Sequence, residues 1–320
     1  MNKDIKKLLE NVGILPVINI SEKEYALPLV NALIDGGMKA LEVTLRSDNS
    51  LQAIKTIKHE YPNFVVGAGT VINTNLVDEA LNAGADFIVC PGYDEEIVDY
   101  LLKKGVPIVP GCTTPSEIQK AVKNGLKVLK FFPSELSGGI SAIKLVSGAF
   151  PQVKFIPTGG INFDNLSSYL SNDKVLACGG SYMATADQLK KCDYVGITEN
   201  CKKALAISLG FELAHVGINC YSEEEADNGA NMFSEIFKFN KKAGNSSIFS
   251  GTAVEFMKTK YYGTNGHIGI KTNSVKRAIA YFEDNGYEII KESIKEDSKG
   301  LVSAYLKEEI GGFAVHVVRK

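Results

Sequence analysis

Short apolar runs alternate with amphipathic segments through the first two thirds of the chain. Eight of these runs have the length and apolar content of buried strands, and each is followed by a segment in which apolar residues recur at helical spacing. The predicted strands are Gly13–Ile20, Ala40–Leu45, Phe64–Thr70, Phe87–Pro91, Pro107–Gly111, Val128–Pro133, Lys154–Gly159 and Val175–Gly180.

Continuous apolar strands separated by helices predict a parallel sheet, and eight such units predict an α/β fold closed into a (β/α)8 TIM barrel. An open doubly wound sheet is the alternative, although no G-x-G-x-x-G motif opens a helix after the first strand. A helical stretch within residues 198–210 closes the barrel, so the first predicted domain covers residues 1–207.

The pattern and the composition both change in the tail, which is the second predicted domain, residues 211–320. All ten prolines lie at or before Pro157, whereas three of the four histidines follow Gly210. The pattern of the tail predicts a smaller α+β domain built from a duplicated βαβββ module. The number of strands in the first half of this domain is left open. Its predicted strands are Leu213–Cys220, Thr252–Met257, Gly266–Thr272, Tyr287–Ile290, Leu301–Lys307 and Gly312–Val318, and a helix is predicted at Ser274–Asn285.

Composition narrows the class of protein. With 45% apolar and 22% charged residues the chain is typical of globular proteins, and its length of 320 residues favours two domains. The net charge of −2 argues against a nucleic-acid partner, and no apolar run is long enough to span a membrane. Residues 1–7 are charged and lack the apolar core of a signal peptide, and the six cysteines form no C-x-x-C pair. A reduced, cytoplasmic protein is expected.

Lys130 is the first candidate for chemistry. It lies between apolar neighbours in the middle of a predicted strand, where Leu129 and Phe131 face one side and Val128 and Lys130 face the other. A desolvated lysine gains a neutral amine fraction near pH 7 and becomes a nucleophile. The alternative is a lysine whose ammonium group reaches water from the end of the strand.

The second predicted strand places Glu42, Thr44 and Arg46 on one face. Such side chains pack poorly inside a barrel but supply acid–base and anion-binding groups, and they lie toward the carboxyl ends of the strands, where barrel active sites are found. The alternative is an internal Glu42–Arg46 ion pair that needs no substrate. Strand three ends in Gly67-Ala-Gly-Thr70, which leaves room around Thr70.

Paired glycines follow the last two strands of the predicted barrel, at Gly159-Gly160 and at Gly179-Gly180 before Ser181. Glycines allow backbone N–H groups to approach an anion, and loops seven and eight are the usual phosphate site of such barrels. Each pair is also compatible with a simple tight turn.

Seven short motifs occur in order along residues 1 to 205. They are Glu42-Val-Thr-Leu-Arg46, Gly67-Ala-Gly-Thr70, Cys90-Pro-Gly92, Pro110-Gly-Cys-Thr-Thr-Pro-Ser-Glu117, Lys130-Phe-Phe-Pro133, Pro157-Thr-Gly-Gly160-Ile and Gly179-Gly-Ser181. Together they resemble the 2-keto-3-deoxy-6-phosphogluconate / 4-hydroxy-2-oxoglutarate aldolases.

The resemblance implies a role for each matching residue. Lys130 would form a Schiff base with the keto carbon, and Glu42 would be the general acid/base acting through a bound water. Arg46 and Thr70 would hold the pyruvate carboxylate. The remaining implied contacts are walls of the pocket at Pro91 and Phe132, and a phosphate site at Gly159, Gly160 and Ser181. No cofactor is implied for this reaction, and the family implies a homotrimer that acts on a small keto acid.

The chain departs from the family pattern in places. Cys90 stands where Ser is expected, and Cys112-Thr113 replaces a smaller pair. The segment Gly13–Ile20 lacks the Arg or Lys that some members carry, which leaves the phosphorylated sugar acid and the shorter 4-hydroxy-2-oxoglutarate open as substrates.

The tail resembles the vicinal-oxygen-chelate (glyoxalase-like) superfamily. Four residues fall where its metal ligands would be, and they are His215, Glu255, His267 and His316. His316 departs from the usual Glu. A divalent metal is a candidate ligand, and the alternative is a pairing or regulatory module without metal. Two further hypotheses remain: a metal-dependent activity confined to the tail, and a non-enzymatic metabolite-binding or assembly protein.

Overall fold

The structure is a computed structural model that describes residues 5–320, so residues 1–4 of the charged N-terminal segment lie outside it. The chain divides into two compact units, Met1–Ser208 and Leu209–Lys320. Within the described residues, no helix combines the length and the apolar character needed to cross a membrane.

The N-terminal unit is an α/β fold, as predicted. Its strands are β1 (Ile14–Ile18), β2 (Ala40–Thr44), β3 (Val65–Gly69), β4 (Phe87–Val89), β5 (Ile108–Val109), β6 (Val128–Phe131), β7 (Lys154–Pro157) and β8 (Cys178–Gly180). Each predicted strand is present but shorter, and Pro91, Gly111, Pro133 and Gly159, which end four of the predicted runs, lie outside the strands.

Helices separate these strands. They are α1 (Ile5–Val12), α2 (Ala26–Asp35), α3 (Ser50–Glu60), α4 (Thr74–Asn82), α5 (Glu95–Lys104), α6 (Pro115–Lys123), α7 (Gly139–Ala149), α8 (Leu166–Leu170), α9 (Ala186–Lys190) and α10 (Tyr194–Leu209). Side-chain caps begin several of them: Asp94 accepts from the N–H of Ile97, and Thr114 forms a capping box with Glu117.

The strands of this unit pair in parallel. Six form a sheet in the order β5-β4-β3-β2-β1-β8, and β6 pairs with β7. Isolated bridges connect the two sets, from Gly111 to Lys130 and from Thr158 to Gly179. Alternate strand residues face two apolar clusters. The inner cluster includes Leu15, Ala40, Val65, Phe87, Val109, Ile156 and Leu176, and the larger outer cluster lies against the helices.

The C-terminal unit contains the same succession of elements twice. The first half is β9 (Glu212–Asn219), α11 (Glu223–Phe237), β10 (Lys241–Ala243), β11 (Ser247–Ser250) and β12 (Val254–Met257). The second half is β13 (Gly266–Thr272), α12 (Val275–Asp284), β14 (Ile289–Asp297), β15 (Gly300–Ile310) and β16 (Phe313–Arg319).

The two halves of this unit form one sheet in the order β10-β11-β12-β9-β13-β16-β15-β14. In each half the first strand pairs in parallel with the last, and β9 pairs antiparallel with β13 at the centre. The hairpin of β10 and β11 fills the strand count that the sequence pattern left open. It was missed because Lys241–Ala243 is polar and lacks an alternating apolar face.

Candidate active site and metal centre

Lys130 and Glu42 are in direct contact inside the N-terminal unit. The Nζ atom of Lys130 lies 3.1 Å from Oε1 of Glu42, and the two residues are only 7% and 1% exposed. Lys130 lies on β6 and Glu42 on β2, and the two residues are 88 positions apart in the chain. Glu42 therefore pairs with Lys130, and the alternative of a Glu42–Arg46 ion pair is wrong among the described residues.

Strand parity places Lys130 where the sequence pattern predicts. Leu129 and Phe131 lie in the outer cluster, whereas Val128 packs against the inner one. Lys130 therefore continues the inner face one step toward the carboxyl end of β6. The ring of Phe132 lies 5.3 Å from its Nζ atom, and a lysine so enclosed does not reach freely into water.

Gly69 gives the Glu42 carboxylate its space. A Cβ atom at position 69 would lie 2.2 Å from Oε1 of Glu42. The glycine at the end of β3 therefore serves Glu42, whereas the sequence pattern assigned the free room to Thr70. A bulkier residue at this position would displace the carboxylate that contacts Lys130.

Arg46 and Thr70 lie together at the ends of β2 and β3. Nε of Arg46 donates to Oγ1 of Thr70 at 3.3 Å, and Thr70 has a left-handed backbone with φ of 62°. Such a conformation is uncommon for a threonine and is typical of functional sites. Thr44, on the same face as Glu42, is buried and donates weakly to the carbonyl of Ile18 at 3.5 Å.

Cys90 lies near this pair of charged residues, at the end of β4. Burial raises the pKa of its thiol to about 12, and the charges of Lys130 and Glu42 also act on it. Pro91, the next residue, sets its carbonyl against Gly111, where a Cβ atom would lie 2.1 Å from that oxygen. The loops after β4 and β5 are thus tightly apposed.

Gly159 and Gly160 lie in the loop after β7, whereas Gly179 and Gly180 are the last two residues of β8, and a bridge between Thr158 and Gly179 brings the two pairs side by side. Gly159 and Gly160 have φ of 92° and 85°, which an L side chain rarely adopts. A side chain at position 160 would also meet Glu135, 2.4 Å from its Cγ atom. Ser181 follows the second pair and is exposed.

Thr158 is a polar residue that sequence reasoning missed. It is buried, and its Oγ1 atom has no hydrogen-bond partner among the described residues. It lies two positions after Ile156 of the inner cluster and 2.4 Å from where a Cβ of Gly179 would stand. The alternation Ile156–Thr158 was the available signal. A buried hydroxyl without a partner is suited to receive a ligand.

Three histidines converge in the C-terminal unit, from β9, β13 and β16. The Nε2 atom of His215 lies 3.1 Å from that of His267 and 3.2 Å from that of His316. Oε2 of Glu255 lies 3.1 Å from Nε2 of His267 and 3.5 Å from Nε2 of His215. The structure thus brings together all four residues singled out in the tail.

Two glycines make room for these imidazoles. A Cβ at Gly217 would lie 2.1 Å from the ring of His267, and one at Gly269 would lie 2.5 Å from the ring of His215. Both glycines occur in a His-x-Gly sequence, once in each half of the unit. The space for the histidines is therefore built into both halves.

The pKa values of two of these histidines and of Glu255 lie below their usual values. Burial lowers the pKa of His316 to about 3, and burial is also the main cause of the lowered pKa of His215. Burial alone raises the pKa of Glu255, but hydrogen bonds from His267 and Ser247 hold it below its usual value. Neutral imidazoles and an ionised carboxylate are the ligand forms that a divalent metal requires.

Donor spacing also fits a metal. In a tetrahedral site with bonds of about 2.1 Å, neighbouring donor atoms are about 3.4 Å apart, close to the separations in this cluster. One feature fits less well: the Nδ1 atoms of His267 and His316 are buried without a partner among the described residues, whereas metal-bound histidines usually donate from that atom.

Comparison with known proteins identifies the family of the part of the chain that contains Lys130 and Glu42. A family model described as the KDPG and KHG aldolases matches residues 5–200. The 2-dehydro-3-deoxy-phosphogluconate aldolase of Treponema pallidum is 39% identical over 203 residues, covering 63% of this chain and 97% of that protein. The KHG/KDPG aldolase of Escherichia coli K12 is 40% identical over 200 residues, covering 62% and 94%.

Solved structures agree with these relatives. The KDPG aldolase of Legionella pneumophila, with pyruvate captured as a covalent carbinolamine, matches with a TM-score of 0.62 and 37% identity, covering 64% of this chain and 99% of that one. The aldolase resemblance drawn from the seven motifs is confirmed, while the family match leaves the C-terminal unit aside. The chain belongs to the KDPG and KHG aldolase family.

Proposed function

We propose that the N-terminal unit is a class I aldolase that cleaves 2-keto-3-deoxy-6-phosphogluconate to pyruvate and glyceraldehyde 3-phosphate. One observation carries the proposal: the buried amine of Lys130 on β6 lies 3.1 Å from the buried carboxylate of Glu42 on β2. The aldolase names of its relatives, and the carbinolamine of the Legionella enzyme, support the same reaction.

Lys130 would act as the nucleophile. Its unprotonated Nζ attacks the keto carbon C2, and the resulting carbinolamine loses water to give a protonated imine. When the C3–C4 bond breaks, its electron pair moves into the imine to form an enamine, and the C4 hydroxyl loses its proton and becomes the aldehyde. The enamine then takes up a proton at C3, and water hydrolyses the imine to pyruvate and free lysine.

Glu42 would move these protons through a bound water. Its carboxylate is within hydrogen-bonding distance of the nucleophile, which is the geometry that a general acid/base requires. A positioned carboxylate of this kind contributes about 10²–10⁴-fold to rate. The reaction needs no metal or organic cofactor.

The other side chains would hold the substrate. Arg46 and Thr70, which already touch each other, present donors to the pyruvate carboxylate. Pro91 and Phe132 would wall the pocket around the imine.

The phosphate would lie against the N–H groups of Gly159 and Gly160 and the hydroxyl of Ser181. The left-handed backbones of Gly159 and Gly160 and the bridge from Thr158 to Gly179 of β8 support that assignment.

The experiment is a coupled assay of pyruvate release from 2-keto-3-deoxy-6-phosphogluconate by the full chain. Lys130→Ala should abolish turnover and Glu42→Gln should lower kcat about 10²–10⁴-fold. Lys127→Ala is the matched control, since Lys127 is exposed just before β6. Normal turnover by Lys130→Ala would contradict the proposal.

A second substrate has a specific observation in its favour. Strand β1 carries neither Arg nor Lys, and the Escherichia coli relative is named for both KHG and KDPG. We therefore propose 4-hydroxy-2-oxoglutarate, cleaved to pyruvate and glyoxylate, as an alternative substrate. The ratio of kcat/KM on the two acids decides which is preferred.

We also infer a (β/α)8 barrel for this unit and a domain boundary between residues 207 and 211. The pairings that join β5 to β6 and β7 to β8 through bridges support the barrel, and the division after Ser208 supports the boundary. The homotrimer expected from the family is tested by light scattering, which should give three times the chain mass of 34.6 kDa.

For the C-terminal unit we propose a glyoxalase-like module whose His215, Glu255, His267 and His316 hold a divalent metal. The βαβββ repeats and the convergence of donors support it. Such a metal would supply a Lewis acid to a bound oxygen ligand. Metal analysis of the dialysed full chain should find one ion per chain, lost in His267→Ala, and no ion in either protein would overturn the proposal.

A further inference from the structure

We propose that Tyr169 is a positioning residue for the segment 158–160, called the phosphate loop below, and that its hydroxyl group sets the preference of the aldolase for phosphorylated keto acids. The inference rests on the aldolase function proposed above. It adds a residue of α8 to which neither the seven motifs nor the proposed chemistry gives a role.

Two hydrogen bonds from the turn after β6 fix the carbonyl groups of the phosphate loop. The N–H of Ser134 donates to the carbonyl of Thr158 at 2.8 Å, and the N–H of Glu135 donates to the carbonyl of Gly159 at 3.1 Å. In a trans peptide the C=O group and the following N–H group point in opposite directions. The N–H of Gly160 therefore points away from the turn after β6.

The N–H of Gly160 is available to a ligand. It donates to no acceptor within residues 5–320, and Gly160 is exposed. Strand β7 pairs with β6 on one side and is bridged to β8 on the other. An N–H that points away from the turn after β6 thus lies on the side of β8, which Ser181 follows. A free backbone donor beside a hydroxyl group suits an anion.

The hydroxyl group of Tyr169 contacts both residues of the turn that donate to the phosphate loop. It donates to Oε1 of Glu135 and lies 3.0 Å from Oγ of Ser134. A phenol has one proton, which goes to the carboxylate, so Ser134 is the donor in the second bond. Burial raises the pKa of Tyr169, and the hydrogen bond with Glu135 raises it further, which keeps the hydroxyl group protonated. Tyr169 and Ser134 are only 1% and 0% exposed, so water does not compete for these groups.

The phosphate loop is held from its other end by the residue before α8. Nδ2 of Asn165 donates to the carbonyl of Gly160 at 2.9 Å, and Oδ1 of Asn165 accepts from the N–H of Asn162 at 2.9 Å. A Cβ atom at Gly160 would lie 2.4 Å from Cγ of Glu135, so the loop packs tightly on that side chain. Asn165 directly, and Tyr169 through Glu135, thus fix the carbonyl groups on both sides of the Gly160 N–H.

These contacts act on the phosphate loop rather than on the groups proposed for bond cleavage. Within the described part of the chain, the hydroxyl group of Tyr169 bonds to Glu135 and Ser134, whereas Lys130 bonds to Glu42. Loss of the hydroxyl group should therefore weaken recognition of a phosphate and spare the Schiff-base chemistry. Pyruvate, which lacks a phosphate, should not be affected.

The test compares a reaction that uses the phosphate loop with one that does not. The full chain is assayed for kcat/KM on 2-keto-3-deoxy-6-phosphogluconate and, in D₂O, for exchange of the methyl protons of pyruvate, which needs only the enamine on Lys130. Tyr169→Phe should lower kcat/KM about tenfold, mainly through KM, because a hydrogen bond to a charged group is weakened. Its rate of pyruvate exchange should equal that of the unaltered chain.

Tyr100→Phe is the matched control. The hydroxyl group of Tyr100 on α5 also donates to a carboxylate, that of Asp78, at 2.7 Å, and its loss should leave both rates unchanged. A second pair of variants tests the same contact from the other partner. Glu135→Gln keeps an acceptor for Tyr169 and should retain the kcat/KM that Glu135→Ala loses.

Three results would overturn the positioning role. They are an unchanged kcat/KM in Tyr169→Phe, a loss of pyruvate exchange as large as the loss of kcat/KM, and, should Tyr169→Phe not fold, equal kcat/KM in the two Glu135 variants. An unaltered chain that neither cleaves the phosphorylated acid nor exchanges pyruvate protons would instead overturn the aldolase function itself.

Discussion

Gly69 lies so close to Glu42 that the smallest side chain at position 69 would overlap the carboxylate, with Cβ only 2.2 Å from Oε1. The pair joins β3 to β2 on the inner face, beside Lys130, whose Nζ atom lies 3.1 Å from the same Oε1 atom. The position of Glu42, the proposed acid/base, therefore depends on a glycine that has no proposed part in the chemistry.

Gly69→Ala should lower kcat for pyruvate release by about 10²–10⁴-fold, since it moves the carboxylate without removing it. Gly148→Ala is the control, because open space surrounds Gly148 in α7 and its activity should be unchanged. Thermal unfolding of both variants separates loss of function from loss of fold. Unchanged kcat in Gly69→Ala would show that Glu42 tolerates displacement.

Thr158→Val tests the unpartnered hydroxyl near the glycine loops. The change is nearly isosteric and removes no hydrogen bond within the described residues, so stability should hold or rise slightly. We expect kcat/KM to fall about tenfold if that hydroxyl binds substrate.

Ser208→Ala gives the opposite pattern and serves as the comparison. Its buried hydroxyl donates to the carbonyl of Val12 at 3.0 Å, so its loss should cost about 1 kcal/mol of unfolding free energy and leave kcat/KM intact. If Thr158→Val lost stability and kept its activity, the hydroxyl would be structural.

Thiol reactivity tests the burial of the cysteines around the active site. Burial raises the pKa of Cys90 and Cys112 to about 12, so at pH 8 only about one molecule in 10⁴ carries either thiolate. Of the free thiols in the structure, only Cys192 is exposed. A chromogenic disulfide reagent should therefore modify one thiol rapidly in the native chain and six after denaturation.

Cys192→Ser should remove that rapid phase. Because the raised pKa values keep Cys90 and Cys112 protonated, their reaction should accelerate only as the pH approaches 12 or the chain unfolds. Rapid labelling of Cys90 at pH 8, located by peptide mapping, would contradict the burial described for the end of β4.

Removing metal with a chelator distinguishes the chemistry proposed for the two units. Treatment of the full chain with a chelator should strip the proposed metal from the C-terminal unit and leave pyruvate release unchanged, since the Lys130 route uses no metal ion. Metal content and turnover are measured on the same sample. A loss of turnover that added Zn²⁺ restores would contradict a metal-free aldolase.

Much of the fold and of the candidate site could be predicted from the local pattern of apolar and polar residues. Alternation along β6 predicted which side of the strand Lys130 occupies, since Leu129 and Phe131 are apolar on the other side. The glycine pairs were predicted to lie close together because parallel strands end at one edge; Gly159 and Gly160 do follow β7, whereas Gly179 and Gly180 belong to β8 itself. The four candidate ligands of the tail were chosen from resemblance, and the structure brings their side chains together although His316 lies 101 positions from His215.

Other features depend on contacts that a local pattern does not contain. The pairing of Glu42 with Lys130 rather than Arg46 depends on the juxtaposition of β2 and β6. The role of Gly69 depends on the space left beside β2, and the lack of a partner for Thr158 depends on its surroundings. The β10–β11 hairpin carries too little apolar alternation to be predicted from its own residues.

The most direct test of the central claim is to trap the Schiff base. The full chain is incubated with pyruvate and sodium borohydride, digested, and mapped by peptide mass spectrometry, with Lys130→Ala and Lys127→Ala in parallel. Schiff-base chemistry predicts a reduced pyruvyl group on Lys130, present in Lys127→Ala and absent from Lys130→Ala. A folded, unaltered chain that acquires no adduct at Lys130 would contradict the class I mechanism.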